Sequence, residues 1–170
     1  MSLKFKIKVP GTSANIGVGY DCLGVALDYY LEIEVTESET IEFVENGKEF
    51  SIPLDENLMF EAANFTQKKL NKTIPNYRVN IIRNDIPIAR GLGSSSSAIV
   101  AGIMIVNRFL NNKLDRDSIA KLAVEMEGHP DNVVPAIFGG MVLAAHDKEN
   151  LSYALLPNIE NLFFYVMIPN

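Results

Sequence analysis

The 170-residue sequence contains a single cysteine, Cys22. No disulfide can close within the chain and no cysteine-based metal cluster can form in it, which predicts a reducing, cytoplasmic setting. Long apolar runs are missing as well. None approaches the ~18 residues of a membrane-spanning helix, and the N-terminus alternates Lys with apolar residues rather than opening on a signal-peptide block, so no membrane association is expected. Positive charge is also short: 15 Lys and Arg stand against 21 Asp and Glu, a formal net charge of −6. A general nucleic-acid binder would carry a basic patch, so no nucleic-acid partner is expected and any phosphate site has to be assembled locally. Only two histidines are present. His129 and His146 do not have the H-E-x-x-H spacing, which argues against zinc.

What is present suits one well-packed domain, with 48% hydrophobic and 21% charged residues. Phe5, Ile7 and Val9 alternate with Lys4, Lys6 and Lys8, predicting a strand that stops at Pro10-Gly11. Leu31, Ile33 and Val35 alternate in the same way, and Ile41 to Phe43 runs into the hairpin signal Asn46-Gly47, so an antiparallel meander is expected. Asn57 is a candidate N-cap for a helix carrying Met59, Ala62, Ala63, Thr66 and Leu70, ended by Pro75. Tyr77, Val79 and Ile81 return to strand period. Ile99, Ile103, Val106 and Leu110 mark one helix face, and Asp115 can cap another helix with Ile119, Leu122, Ala123 and Met126. A short helix over 133–138, an apolar strand over 141–145 and a buried strand over 162–168 complete the pattern. Strands interspersed with helices and a clear hairpin predict an α+β fold.

Three stretches are dense in residues that carry chemistry. "PIARGLGSSSSAIVAG", residues 87 to 102, runs straight into an apolar helix, which excludes a flexible Gly/Ser linker. A serine capping the helix would account for one serine, not for three glycines and four serines together. Alternatively, the glycines admit an anion close to the backbone, where exposed N–H groups, the helix dipole and serine hydroxyls bind phosphate. The stretch is neither a Walker loop nor G-x-G-x-x-G, and by itself it leaves both readings open. "VPGTSANIGVGYDCLGVAL", residues 9 to 27, reads either as a glycine-rich turn or as a cleft segment in which Asn15 orients a polar substrate and Asp21 accepts a hydroxyl proton. "VEMEGHPDNVVPAIFGG", residues 124 to 140, places Glu125 and Glu127 at a helix C-terminus, where their charge opposes the dipole. A nearby cation would relieve that, and one carboxylate bridging to substrate phosphates suits Mg²⁺.

In order and spacing these stretches resemble the motifs of the GHMP small-molecule kinases, and most closely those members that phosphorylate L-homoserine. The resemblance covers nearly the whole chain. It implies ATP-dependent phosphorylation of L-homoserine to O-phospho-L-homoserine, on the way to threonine, with ATP and Mg²⁺ as cofactors. It also implies an N-terminal, ATP-binding domain of the ribosomal-protein-S5 domain 2-like type over residues 1–170, the family's second half lying beyond this chain. An edge left by a missing half is a route to self-association as a homodimer. By motif position, Pro87, Ile88, Ala89, Arg90, Gly91, Leu92, Gly93, Ser94, Ser95, Ser96 and Ser97 would wrap the ATP phosphates, with Ser94 and Ser95 nearest. Asn15, Asp21 and His129 would contact homoserine. Asp21 would be the catalytic residue that holds the substrate hydroxyl toward the γ-phosphate. Glu125 would bind Mg²⁺, with Glu127 as the alternative. The competing readings are another GHMP small-molecule kinase, a non-catalytic nucleotide-binding module, and an interaction domain whose serines merely cap a helix.

Overall fold

The structure is a computed structural model and describes residues 3–147, 150–157 and 163–165. The elements follow the order β1 (Lys4–Ala14), β2 (Leu23–Glu37), β3 (Glu42–Glu45), β4 (Lys48–Glu49), α1 (Leu58–Leu70), β5 (Tyr77–Asn84), α2 (Ser94–Phe109), α3 (Arg116–Glu127), α4 (Pro130–Phe138), β6 (Met141–His146) and β7 (Leu151–Leu155). This is the expected mixture of helices and strands. The alternation in β1 and β2 buries Phe5, Ile7, Val9, Leu31, Ile33 and Val35 in one core with the apolar faces of the helices. The opposite face carries ion pairs such as Lys4 with Glu34 and Lys8 with Glu32.

Among the described residues the sheet runs β4-β3-β5-β2-β6-β7, with β1 paired to β2. Two expectations change here. First, β1 does not stop at Pro10-Gly11: pairing with β2 continues to Ala14 across an irregularity between Pro10 and Thr12. Proline and glycine end a regular ladder, but a bulge accommodates both, and this one carries the strand onward into the first motif. Second, the strands do not form a simple meander. The β3–β4 hairpin forms at Asn46-Gly47, but β5 lies between β3 and β2 and runs parallel to β3, with Phe43 opposite Val79. The connection through α1 is the crossover that a parallel pair requires.

Helix ends follow their side-chain chemistry. Asn57 Oδ1 accepts from the Met59 and Phe60 amides at 3.1 and 3.2 Å, and Asn71 closes α1 in the left-handed conformation. Asp115 Oδ1 accepts from the Ser118 amide at 2.8 Å, and its hydrogen bonds from Ser118 hold the carboxyl below the usual carboxylate range. The last helix begins at Pro130, three residues before the expected 133, because proline is well suited to a first helical position. The strand expected at 162–168 lies mostly outside the described residues. Within it, Phe163, Phe164 and Tyr165 are exposed and belong to no strand. β7 has no counterpart in the sequence pattern, because its inward and outward residues do not alternate cleanly between apolar and polar.

Candidate active site

Thr12, fully buried just beyond the β1 irregularity, joins the three sequence motifs. Its amide donates to the Leu92 carbonyl at 3.0 Å and its hydroxyl donates to Asn132 Oδ1 at 2.9 Å. Ser97 Oγ reaches the same turn, donating to the Pro10 carbonyl at 2.9 Å. Segments far apart in the chain are thus fixed by hydrogen bonds a few residues from their polar side chains.

The glycine- and serine-rich stretch forms a loop that enters α2. Ala89, Gly91 and Gly93 all take positive φ, at 56°, 68° and 70°. Such alternation turns backbone amides toward a common concavity of the kind that binds anions. Gly93 is the N-cap, and no side chain caps the helix. The serine-cap reading therefore fails. A Cβ at Gly93 would lie 2.1 Å from Thr12 Oγ1, so glycine is required there both for its backbone angle and for this contact. Ser95 and Ser96 turn to Glu127, donating to its Oε1 at 3.2 and 3.0 Å. The first-turn amides of α2 are left for solvent or for a ligand.

The two glutamates at the end of α3 separate. Glu125 forms an ion pair with Lys69 on α1 and does not line the cavity. Glu127 does line it, beside Ser94, Ser95 and Ser96. Of the two candidate Mg²⁺ carboxylates, Glu127 is the one beside the phosphate loop: two positions along a helix is about 200° of rotation, which turns Glu125 to α1 and Glu127 to α2. Among the described residues no cluster of three or more acidic, histidine or cysteine side chains could hold a metal alone. A single carboxylate next to a phosphate loop fits the way Mg²⁺ is carried in on substrate phosphates.

At the other wall, His129 precedes α4 in an extended conformation, with Nδ1 3.0 Å from Asp131 Oδ1. Asn132 holds Thr12 through its carbonyl oxygen, and among the described residues no hydrogen bond engages its amide nitrogen. Asn15 takes φ 59° and accepts from the Asp21 amide at 2.8 Å through Oδ1, closing the first motif into a loop. Asp21 also takes positive φ, at 53°, a conformation Asp and Asn tolerate better than most residues.

These walls enclose a cavity of about 700 Å³, large enough for a nucleotide together with a small substrate. Its polar lining includes Asn15, Ser94 to Ser97, Glu127, His129 and Asn132, and its apolar lining includes Leu31, Phe50, Ile52, Leu58, Ile81 and Ile86. Asn57 also lines the cavity, and its Nδ2 is buried without a partner among the described residues. Of the expected site residues, Asn15, His129, Ile88, Ala89 and Gly91 to Ser97 line the cavity. Asp21, Pro87, Arg90 and Glu125 do not, and Asp21 and Arg90 are exposed nearby in sequence. Thr12, Asn132 and Asp131 stand at the site as well, and each lies inside one of the three motifs, where residue type alone reads as a turn or helix-cap position. The only sequence signal for Asn57 was helix capping.

Comparison with known proteins gives the same picture. Residues 57–140 match the GHMP kinases N terminal domain. A homoserine kinase of Clostridium novyi is 46% identical over 166 residues, covering 97% of this chain and 56% of that protein. One from Clostridium kluyveri is 40% identical over 168 residues, 98% of this chain and 56% of its own length. The crystal structure of a homoserine kinase from Cytophaga hutchinsonii superposes with a TM-score of 0.75 at 26% identity, covering 93% of this chain and 53% of that one. The chain thus spans about half the length of the curated relatives it matches. With the motifs, the cavity they line and these likenesses in agreement, residues 57–140 belong to the GHMP kinase family as its N-terminal domain.

Proposed function

We propose that this chain is the ATP-binding part of a kinase that transfers the γ-phosphoryl group of ATP to the hydroxyl of L-homoserine, giving O-phospho-L-homoserine for threonine biosynthesis in the cytoplasm. One observation carries the reading: an uncapped helix N-terminus, a glycine-bent loop and the Glu127 carboxylate meet at one end of a nucleotide-sized cavity whose other polar wall is Asn15, His129 and Asn132. The homoserine kinases to which the chain is similar support the choice of acceptor.

Phosphoryl transfer asks the protein mainly for positioning and charge neutralisation. In this reading the amides of residues 91–97 and the α2 dipole hold the phosphates, while Ser95 and Ser96 keep Glu127 in place. Mg²⁺, when bound, would neutralise charge on the phosphates, held on the protein side by Glu127. The adenine ring would pack against apolar lining side chains such as Phe50, Ile52 and Leu58. Asn15, His129 and the amide of Asn132 would hold the polar groups of homoserine. Asp21 would orient the attacking hydroxyl, which requires the 15–22 loop to bring its carboxylate in from the exposed position it occupies. The domain assignment of residues 1–170 and homodimer formation belong to the same proposal.

A second reading, nucleotide binding without turnover, draws on Asp21 standing outside the cavity lining. Phosphorus NMR of L-homoserine incubated with MgATP and the full-length protein that contains this chain separates the two. We expect O-phospho-L-homoserine from the wild type and at least about tenfold slower formation by Asp21→Asn, with ATP affinity changed less than about twofold. Turnover unaffected by Asp21→Asn would remove Asp21 from the mechanism. ATP binding with no product from the wild type would favour the second reading.

A further inference from the structure

The third motif contains a buried acid that the proposed reaction leaves without a task. Asp131, at the second position of α4, is 1% exposed. Its Oδ1 lies 3.0 Å from His129 Nδ1, and its Oδ2 is buried with no partner among the described residues. Neither oxygen caps the helix, because no side chain caps α4. A buried carboxylate is costly unless paired, and although the first turn of α4 favours negative charge, that alone supplies no hydrogen bond to either oxygen. Its position is also fixed. A Cβ at Gly24 would fall 1.7 Å from the Asp131 carbonyl oxygen, so β2 is pressed directly against the backbone that carries the acid.

We propose that Asp131 is a positioning residue that sets the tautomer of His129: Nδ1 carries the proton and donates to Asp131 Oδ1, which leaves Nε2 as an acceptor for the cavity. A carboxylate can only accept, so a neutral imidazole beside it is held as the Nδ1–H form, whereas imidazole free in water exchanges between both forms. His129 is half-exposed and lines the cavity with Asn15 and Asn132. An acceptor at that wall selects a substrate donor, such as the hydroxyl or ammonium group of an amino alcohol. This assignment of the donor rests on the proposed function; the tautomer does not.

The sequence has only two histidines, so nitrogen NMR of the imidazoles reads the tautomer directly, with His146→Gln giving the assignment. At a pH where imidazole is neutral, we expect His129 to show the shifts of the Nδ1–H form. In Asp131→Ala the shifts should move to the exchanging mixture, while those of His146 stay in place as evidence of folding. Wild-type shifts of the Nε2–H form, or of the mixture, overturn the proposal whether or not the protein folds with alanine at this position. In turnover, Asp131→Asn should raise KM for L-homoserine about tenfold and leave KM for ATP unchanged. It should add nothing further in a His129→Gln background; an independent, multiplicative loss would contradict action through His129. Absence of homoserine turnover together with the Nδ1–H tautomer would count against the choice of substrate and leave the positioning role intact.

Discussion

Glu127 and Glu125 stand two residues apart at the end of one helix, yet they meet different partners. Glu127 accepts hydrogen bonds from Ser95 and Ser96, and Glu125 pairs with Lys69. Both oppose the helix dipole in sequence, so that argument could not choose between them, and the choice depends on which way α1 and α2 approach α3. If Glu127 is the carboxylate that meets phosphate-borne Mg²⁺, Glu127→Gln should weaken the apparent Mg²⁺ affinity at fixed ATP by at least about tenfold. Glu125→Gln should change it less than about twofold, since the pair it breaks is at the surface. Titrating Mg²⁺ against nucleotide binding in both variants checks this; the reverse order would restore Glu125 to the site. Thr12 was hidden for a related reason. Nothing in its sequence context distinguishes a buried threonine that ties down Asn132 and Leu92 from a polar turn residue.

At the scale of elements, local signals were strong where one side chain acts on the adjacent backbone. Asn57 and Asp115 cap the helices they precede in sequence, and Asn46-Gly47 makes its hairpin. Removing the Asn57 cap should cost about 1 kcal/mol of stability, as with other caps of this type, measurable by denaturant unfolding of Asn57→Ala. Signals failed where distant strands decide the outcome. The Pro10-Gly11 pair has the composition of a strand end, and only pairing with β2 carries the strand through it. The α2 loop combines both effects: glycines announce positive φ, but the contact of Gly93 with Thr12 is set by tertiary packing. Gly93→Ala forces a Cβ into that contact in a left-handed conformation, so a loss of about 2–4 kcal/mol is expected from strain and overpacking together. Thermal unfolding at wild-type temperature would contradict the observed packing.

For the whole molecule, the α+β class was readable from the order of periodic segments, whereas the topology was not. The exchange of β3 and β5 in the sheet depends on the crossover through α1, which leaves no local trace in either strand. What the sequence did carry was the order of three motifs, and the fold gathers them at one cavity, with β1, α2 and α4 meeting around Thr12. The central claim is that this cavity binds MgATP with its phosphates at the start of α2. Hydrogen exchange of the backbone amides in residues 91–102, with and without MgATP, tests that most directly. The account predicts slowed exchange at residues 91–97, absent when adenosine replaces ATP; unchanged exchange under saturating MgATP would contradict it.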